Sequence, residues 1–298
     1  MTETPHIPMT EGRNPATLNI DTLSTIDMLR AINAEDMRVP PAVAEAIAPI
    51  AQAVDAIHAR MKQGGRLIYA GAGTSGRLGV VDASEMPPTY NAPRGLVIGL
   101  IAGGQGAMFN TVEDAEDNIE LGRADIAQLN PGALDSVVGI AASGRTPYVI
   151  GALQEARARG ALAVSLACTA PAIMHEYADI AISLLTGPEA ITGSTRMKAG
   201  TATKLALNMI STSLMVKLGK TYGNLMVDLQ PSNSKLRDRA RRIIAAATGV
   251  SAEEAQRLLE VCGDVKTSIV VALTGCSTAE ARARLERSAG RVAGALKG

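Results

Sequence analysis

Residues Arg66–Gly76 read RLIYAGAGTSG, and the reading of this stretch decides the fold. Arg66–Ala70 is a short apolar run of strand length. GAGTSG at 71–76 follows at once, and helical spacing resumes after it, out to about Ser84. Strand, glycine-rich turn and helix in that order make the opening half of a βαβ unit. The glycines let backbone approach a ligand, and the free N–H groups of a helix start favour an anion.

The same alternation continues outward. Leu96–Ile101, Asp135–Ala142, Leu162–Cys168 and Ile180–Leu185 read as four more strands, and Thr111–Leu129, Thr146–Arg159 and Arg196–Leu218 as helices. Apolar strands separated by helices indicate an α/β fold, with a parallel five-stranded sheet covered on both faces and ligands at the carboxyl ends of its strands. Upstream, helices are expected over Asp21–Asn33 and Ala42–Lys62, the second opened by Pro40-Pro41. Residues 1–15 read as a mobile arm or one draped over a partner. After Asn224 the composition shifts: Ser232–Arg242 is strongly basic, a solvated helix face, and helical patterns follow at Ala252–Val261, Val265–Leu273 and Thr278–Leu296. These form a small helical bundle.

Composition narrows the function. Of 298 residues, 47% are hydrophobic and 19% charged, and 29 basic residues balance 29 acidic ones. A neutral chain has no electrostatic pull toward nucleic acid or an anionic membrane, so any anion site must be built locally. One Phe, no Trp and five Tyr leave little to stack on bases. Cys168, Cys262 and Cys276 form no CxxC pair, which argues against a disulfide framework or zinc site and fits a reducing cytoplasm. His6, His58 and His175 are isolated, so no metal is expected, and no cofactor motif is present. Met1–Asn14 lacks the apolar segment of a secretory signal, and no apolar run is long enough to span a bilayer.

The match of residues 71–76 to G-x-G-x-x-G also suggests a dinucleotide fold. That fold wants an acid at the end of the second strand, where this chain has Ile101-Ala102-Gly103-Gly104. Thr74 and Ser75 instead place two hydroxyls in the turn. Two further strand-to-helix segments share this character: Ala142–Pro147 with Ser143 and Thr146, and Thr192–Lys198 with Ser194. Each taken alone is explained as well by an N-cap and a tight turn. Three at the strand ends of one sheet point to a monophosphate ester, with Thr74, Ser75, Ser143, Thr146 and Ser194 as its candidate contacts.

GAGTSGRLG, AASGRTPYV and TGSTRMKAGTATK resemble the sugar isomerase (SIS) family of phosphosugar-binding domains. More narrowly, the chain resembles the N-acetylmuramic acid 6-phosphate etherases almost end to end. That likeness runs through TEGRNPATLNIDTLSTIDMLRAINAEDMRVP at 10–40, VDASEMPPTY at 81–90, VEDAEDN at 112–118 and KLALNMISTSLMVKLGKTYGNLMVDL at 204–229. It implies an N-terminal arm and helices over 1–50, a SIS phosphosugar-binding domain over 51–224, and a helical domain similar to a ubiquitin-associated bundle over 225–298. It also implies a homodimer and a part in reuse of cell-wall amino sugar. A sugar-phosphate sensor or an aldose–ketose isomerase on the same domain is the alternative.

Two carboxylates gain meaning from the resemblance. Glu85 lies just past the first turn's helix, before Pro87-Pro88, and Glu116 sits in an acidic run early in the helix after the second strand. Read from the residues alone, Glu116 is better explained as surface charge at a helix start. The resemblance implies Glu85 as proton donor to a departing ether oxygen and Glu116 as the second acid/base group, here assigned as the base. Lys198, Lys204 and Arg77 stay open between surface charge and an anion contact.

Overall fold

The computed structural model describes residues 8–110, 112, 114–229 and 234–297. The five apolar runs form one parallel sheet: β1 (Leu67–Gly71), β2 (Val97–Ile101), β3 (Ser136–Ile140), β4 (Leu162–Ala167) and β5 (Ile180–Ser183), in the order β2-β1-β3-β4-β5. The three inner strands are buried at every residue, while the edges β2 and β5 are partly open. Helices on both faces explain the unbroken apolar character of the inner strands. Register is level: Gly71 pairs with Ile101 on one side and Ile140 on the other, so the turns after β1, β2 and β3 leave the sheet side by side.

Around the sheet run α1 (Thr25–Asp36), α2 (Val39–Ala44), α3 (Ile47–Met61), α4 (Gly73–Tyr90), α5 (Ile119–Gln128), α6 (Pro147–Ala158) and α7 (Lys198–Lys217). The single helix expected over Ala42–Lys62 is two, parted at Glu45-Ala46. Pro49 accounts for the break, because its ring would meet the carbonyl of Glu45 in a continuous helix. Conversely, α4 runs on through Pro87-Pro88 to Tyr90, so Glu85 lies inside the helix and not after it. The helix expected from Thr111 begins only at Ile119, where the Asn118 side chain accepts the Leu121 N–H at 2.9 Å; residues 111 and 113 lie outside the described residues. Glu116 therefore stands in a turn ahead of α5.

The described part of the arm is fastened, not draped. Met9 N–H donates to Thr169 Oγ1 at 3.2 Å, Asn14 Nδ2 to the Pro188 carbonyl at 3.2 Å, and Thr17 Oγ1 to the Ala190 carbonyl at 2.8 Å. Residues 1–7, with His6, lie outside the described residues.

The chain divides into two compact units, with cuts inside α4 after Ser84 and inside α7 after Ile210. The first holds the sheet and α1–α3. The second takes Glu85–Arg94 and the chain from Ser211. It contains a short antiparallel pair, β6 (Thr221–Tyr222) and β7 (Leu225–Met226), which periodicity did not reveal, and α8 (Ser234–Thr248), α9 (Ala252–Cys262), α10 (Val265–Thr274), α11 (Thr278–Arg287) and α12 (Val292–Ala295). The helix expected over Thr278–Leu296 breaks at Ala289-Gly290, both with positive φ. Ile244, Ala255, Ile269 and Val270 centre this unit's own core.

In the first unit, α5 and α6 touch backbone to backbone. A Cβ on Gly122 would lie 1.9 Å from the Tyr148 carbonyl oxygen, and one on Gly151 2.0 Å from that of Ile119. Gly122→Ala should therefore force the pair apart and cost on the order of 1–3 kcal/mol, an overpacking effect. Thermal melts of the two chains will show it as a lowered midpoint.

Candidate active site

The first turn is set by crowding. A Cβ on Gly71 would sit 2.7 Å from the Gly76 nitrogen, and one on Gly76 2.6 Å from the Gly71 oxygen, so the helix start rests directly on the strand end. Gly73 adopts φ +51°, which completes the turn. Because α4 begins at Gly73, Thr74 and Ser75 stand in its first helical turn. Gly76 N–H reaches the Ala72 carbonyl at 3.1 Å, and the amides before it are left to other partners. The positive end of the helix dipole thus faces the space beyond β1.

The second turn joins β3 to α6. Gly144 takes φ +68°, with a Cβ position only 2.5 Å from that of Ala172. Thr146 occupies the N-cap of α6, followed by Pro147, yet its side chain makes no cap hydrogen bond. The hydroxyl donates instead to Glu116 Oε1 at 3.1 Å. Ser143 Oγ lies 3.5 Å from Thr146 Oγ1. Tyr148 N–H donates to the Glu116 backbone carbonyl at 3.0 Å, so Glu116 is held at the head of α6 by main chain and side chain together. A cavity of about 310 Å³ opens beside Ser143, with Pro8, Arg145, Ile173 and Glu176 also in its wall.

The third turn precedes α7. Ser194 is half-buried and Gly193 has φ +76°. The amides of Lys198 and Ala199 are already taken, each donating to the Glu189 carboxylate at 2.9 Å. This helix start therefore offers its first amides to a protein carboxylate and not to a ligand. Burial holds the Glu189 carboxyl above its ordinary range, against those two N–H bonds and the Lys198 charge. The α7 start also lies near the first turn, since a Cβ on Gly200 would be 3.4 Å from Thr74 Cγ2.

The structure thus brings Ser143, Thr146 and Glu116 into one hydrogen-bonded group, and sets Thr74 against the first turn of α7. Glu85 is exposed on α4, in the second unit. Sequence reasoning missed Glu35 and Glu189, since nothing in their local pattern separates a buried acid from a surface one. Lys198 is neither surface charge nor exposed to a ligand. It is fully buried and paired with Glu35, itself 4% exposed. Lys204 is exposed, and Arg77 donates to the Met108 carbonyl at 3.1 Å. Burial pushes the Cys168 thiol up to about 12, so it stays protonated and is no nucleophile. Among the described residues no cluster of His, Cys, Asp and Glu suits a metal ion, and no helix is long and apolar enough to cross a membrane.

Known proteins share this frame. The N-terminal SIS domain of glucokinase regulatory protein matches residues 49–157, and the SIS domain matches residues 112–213. A phosphoheptose isomerase from Francisella tularensis has a similar fold, with a TM-score of 0.52 at 16% identity, over 65% of this chain and 100% of that one. Sheet order and matches together define a SIS-domain protein. Two relatives are much nearer. The N-acetylmuramic acid 6-phosphate etherase of Caldanaerobacter subterraneus is 54% identical over 97% of this chain and 95% of its own length. That of Yersinia pestis (strain Pestoides F) is 55% identical over 97% and 98%. The chain belongs to the N-acetylmuramic acid 6-phosphate etherase family.

The buried pair gives a pH-dependent prediction. Burial raises the Glu35 carboxyl, but hydrogen bonds from Lys198 and Asn14 and the Lys198 and Arg38 charges outweigh it, and the value falls below 4.5. A depressed carboxylate stabilises the fold above its unfolded pKa and loses that contribution as pH falls through the folded value. Glu35→Gln should therefore lose less stability than the parent chain on acidification from about pH 6 to about pH 3. Lys198→Met, which leaves the buried carboxylate with only Asn14 and Arg38, should cost on the order of 3 kcal/mol at neutral pH. Denaturant melts across that pH range measure both.

Proposed function

We propose that the chain cleaves the D-lactyl ether of N-acetylmuramic acid 6-phosphate, giving N-acetylglucosamine 6-phosphate and D-lactate. The observation that carries this reading is the near full-length relation to proteins named for that activity, in a chain that holds both Glu85 and Glu116. That relation favours a lyase over a sugar-phosphate sensor or an isomerase.

In the open-chain sugar the C2 proton is α to an aldehyde. Glu116, as the base, takes it, and Glu85, as the acid, protonates the lactyl oxygen leaving C3. Water then adds to the resulting alkene at C3 with the two roles exchanged. Such a sequence moves only protons and water, so it needs no metal or cofactor. The 6-phosphate rests on the hydroxyls of Thr74, Ser75, Ser143 and Ser194 and on the first amides of α4. Their neutral donors suit an anion, and their distance from C2 and C3 lets binding energy serve positioning. Thr146 belongs to the same group of hydroxyls.

The protein acts in the cytoplasm on sugar recovered from cell wall. It works as a homodimer, for which the exposed Leu23, Ile26 and Leu29 of the α1 region offer an apolar surface.

Lactate released from the muramic acid 6-phosphate tests the activity directly. Glu85→Gln should lower kcat by about a hundredfold or more while still binding the sugar phosphate; near-normal turnover removes its role. Ser143→Ala should raise KM for the 6-phosphate with little change in kcat. An unchanged KM removes Ser143 from the phosphate site.

A further inference from the structure

We infer that Thr146 is a positioning residue that acts through Glu116 and does not bind the substrate's phosphate. The inference rests on Glu116 being the base that takes the C2 proton.

Proton count decides the matter. A threonine hydroxyl has one proton to donate. A phosphate dianion only accepts, and so does an ionised carboxylate. With its proton directed to Glu116 Oε1 at 3.1 Å, Thr146 has none left for a phosphate. Ser143, whose oxygen is 3.5 Å away, keeps its own proton for a ligand, and it is half-buried where Thr146 is only 5% exposed. The ligand-facing hydroxyl of this turn is thus Ser143.

Glu116 needs such a tie. It is exposed and stands in a turn ahead of α5, so no helical ladder orients it. Asp114, two residues earlier, has φ +63°, a conformation that redirects the chain there. Tyr148 N–H fixes the Glu116 backbone, and Thr146 then fixes the carboxyl. The β-branched side chain of threonine, stiff about χ1, is suited to holding that direction. Occupying Oε1 also leaves Oε2 for the proton. Once Oε2 is protonated, Oε1 still accepts, so the tie survives the transfer. Thr146 at an N-cap position without a cap bond is explained by this second duty.

The test is a set of five proteins: the parent chain, Thr146→Val, Thr146→Ser, Glu116→Gln, and Glu116→Gln with Thr146→Val. Lactate release gives kcat and KM, and deuterium uptake from solvent at C2 of the product reports the proton step. Thr146→Val should lower kcat by about tenfold to a hundredfold with KM within about twofold. Thr146→Ser should restore most of the loss. In the Glu116→Gln background Thr146→Val should cost nothing further, because the two residues act as one unit. A raised KM at unchanged kcat makes Thr146 a phosphate contact and overturns the inference. So does an additive loss in the double variant. Near-normal turnover by Glu116→Gln instead removes the base assignment itself, a result separable from the other two. Melting curves accompany each protein, and Thr146→Ala replaces Thr146→Val should the latter not fold. Loss of fold in both makes Thr146 a structural cap and also overturns the inference.

Discussion

The contact of α5 with α6 at Gly122 and Gly151 is the constraint on which the site depends. With no side chains between them, the two helices meet at their backbones, and the chain entering α5 is carried onto the amino end of α6. That path delivers Glu116 to Thr146 and Tyr148. Level register in the sheet supplies the rest, since β1, β2 and β3 release their turns at one edge. Neither feature carries chemistry of its own. Together they turn residues far apart in sequence, such as Ser143 and Glu116, into neighbours.

Charge is handled in the same local way. A chain with no net charge has no long-range field to gather an anion, so any anion contact would fall to local features such as the three turns. They do not contribute alike. The start of α4 carries Thr74 and Ser75 in its first turn, the start of α6 receives Glu116, and the start of α7 is closed by Glu189. Three helix ends that look equivalent in sequence therefore differ in what they hold, and two of the three are occupied by carboxylates of the chain itself.

Much of the architecture was legible because periodicity and glycine placement agree. The apolar runs gave every strand of the main sheet, and the glycine-rich turn at 71–76 gave the strand-to-helix step. Helix limits were less legible, for reasons particular to each. Pro49 acts on a carbonyl four residues back, Asn118 caps a helix whose acidic approach looks helical, and α4 tolerates two prolines that read as a stop. At the site, hydroxyl-rich turns could be located from the sequence, but no local pattern could assign the Thr146 proton to Glu116, a residue 30 positions away. Likewise Lys198 carries an ordinary helix-start sequence, and the partner that answers its buried charge, Glu35, is 163 positions away.

That last pair has a historical consequence. A buried cation and a buried anion satisfy each other best together, and either one alone loses its nearest opposite charge in a place water does not reach. Each residue thereby restricts what its counterpart can become, and a lineage can leave this arrangement only by changing both or by passing through a weakened ancestor. Lys198 and Glu35 should therefore drift as one character across descendants of this chain, linking the turn before α7 to a helix near the amino end that no catalytic argument would have placed under the same restraint.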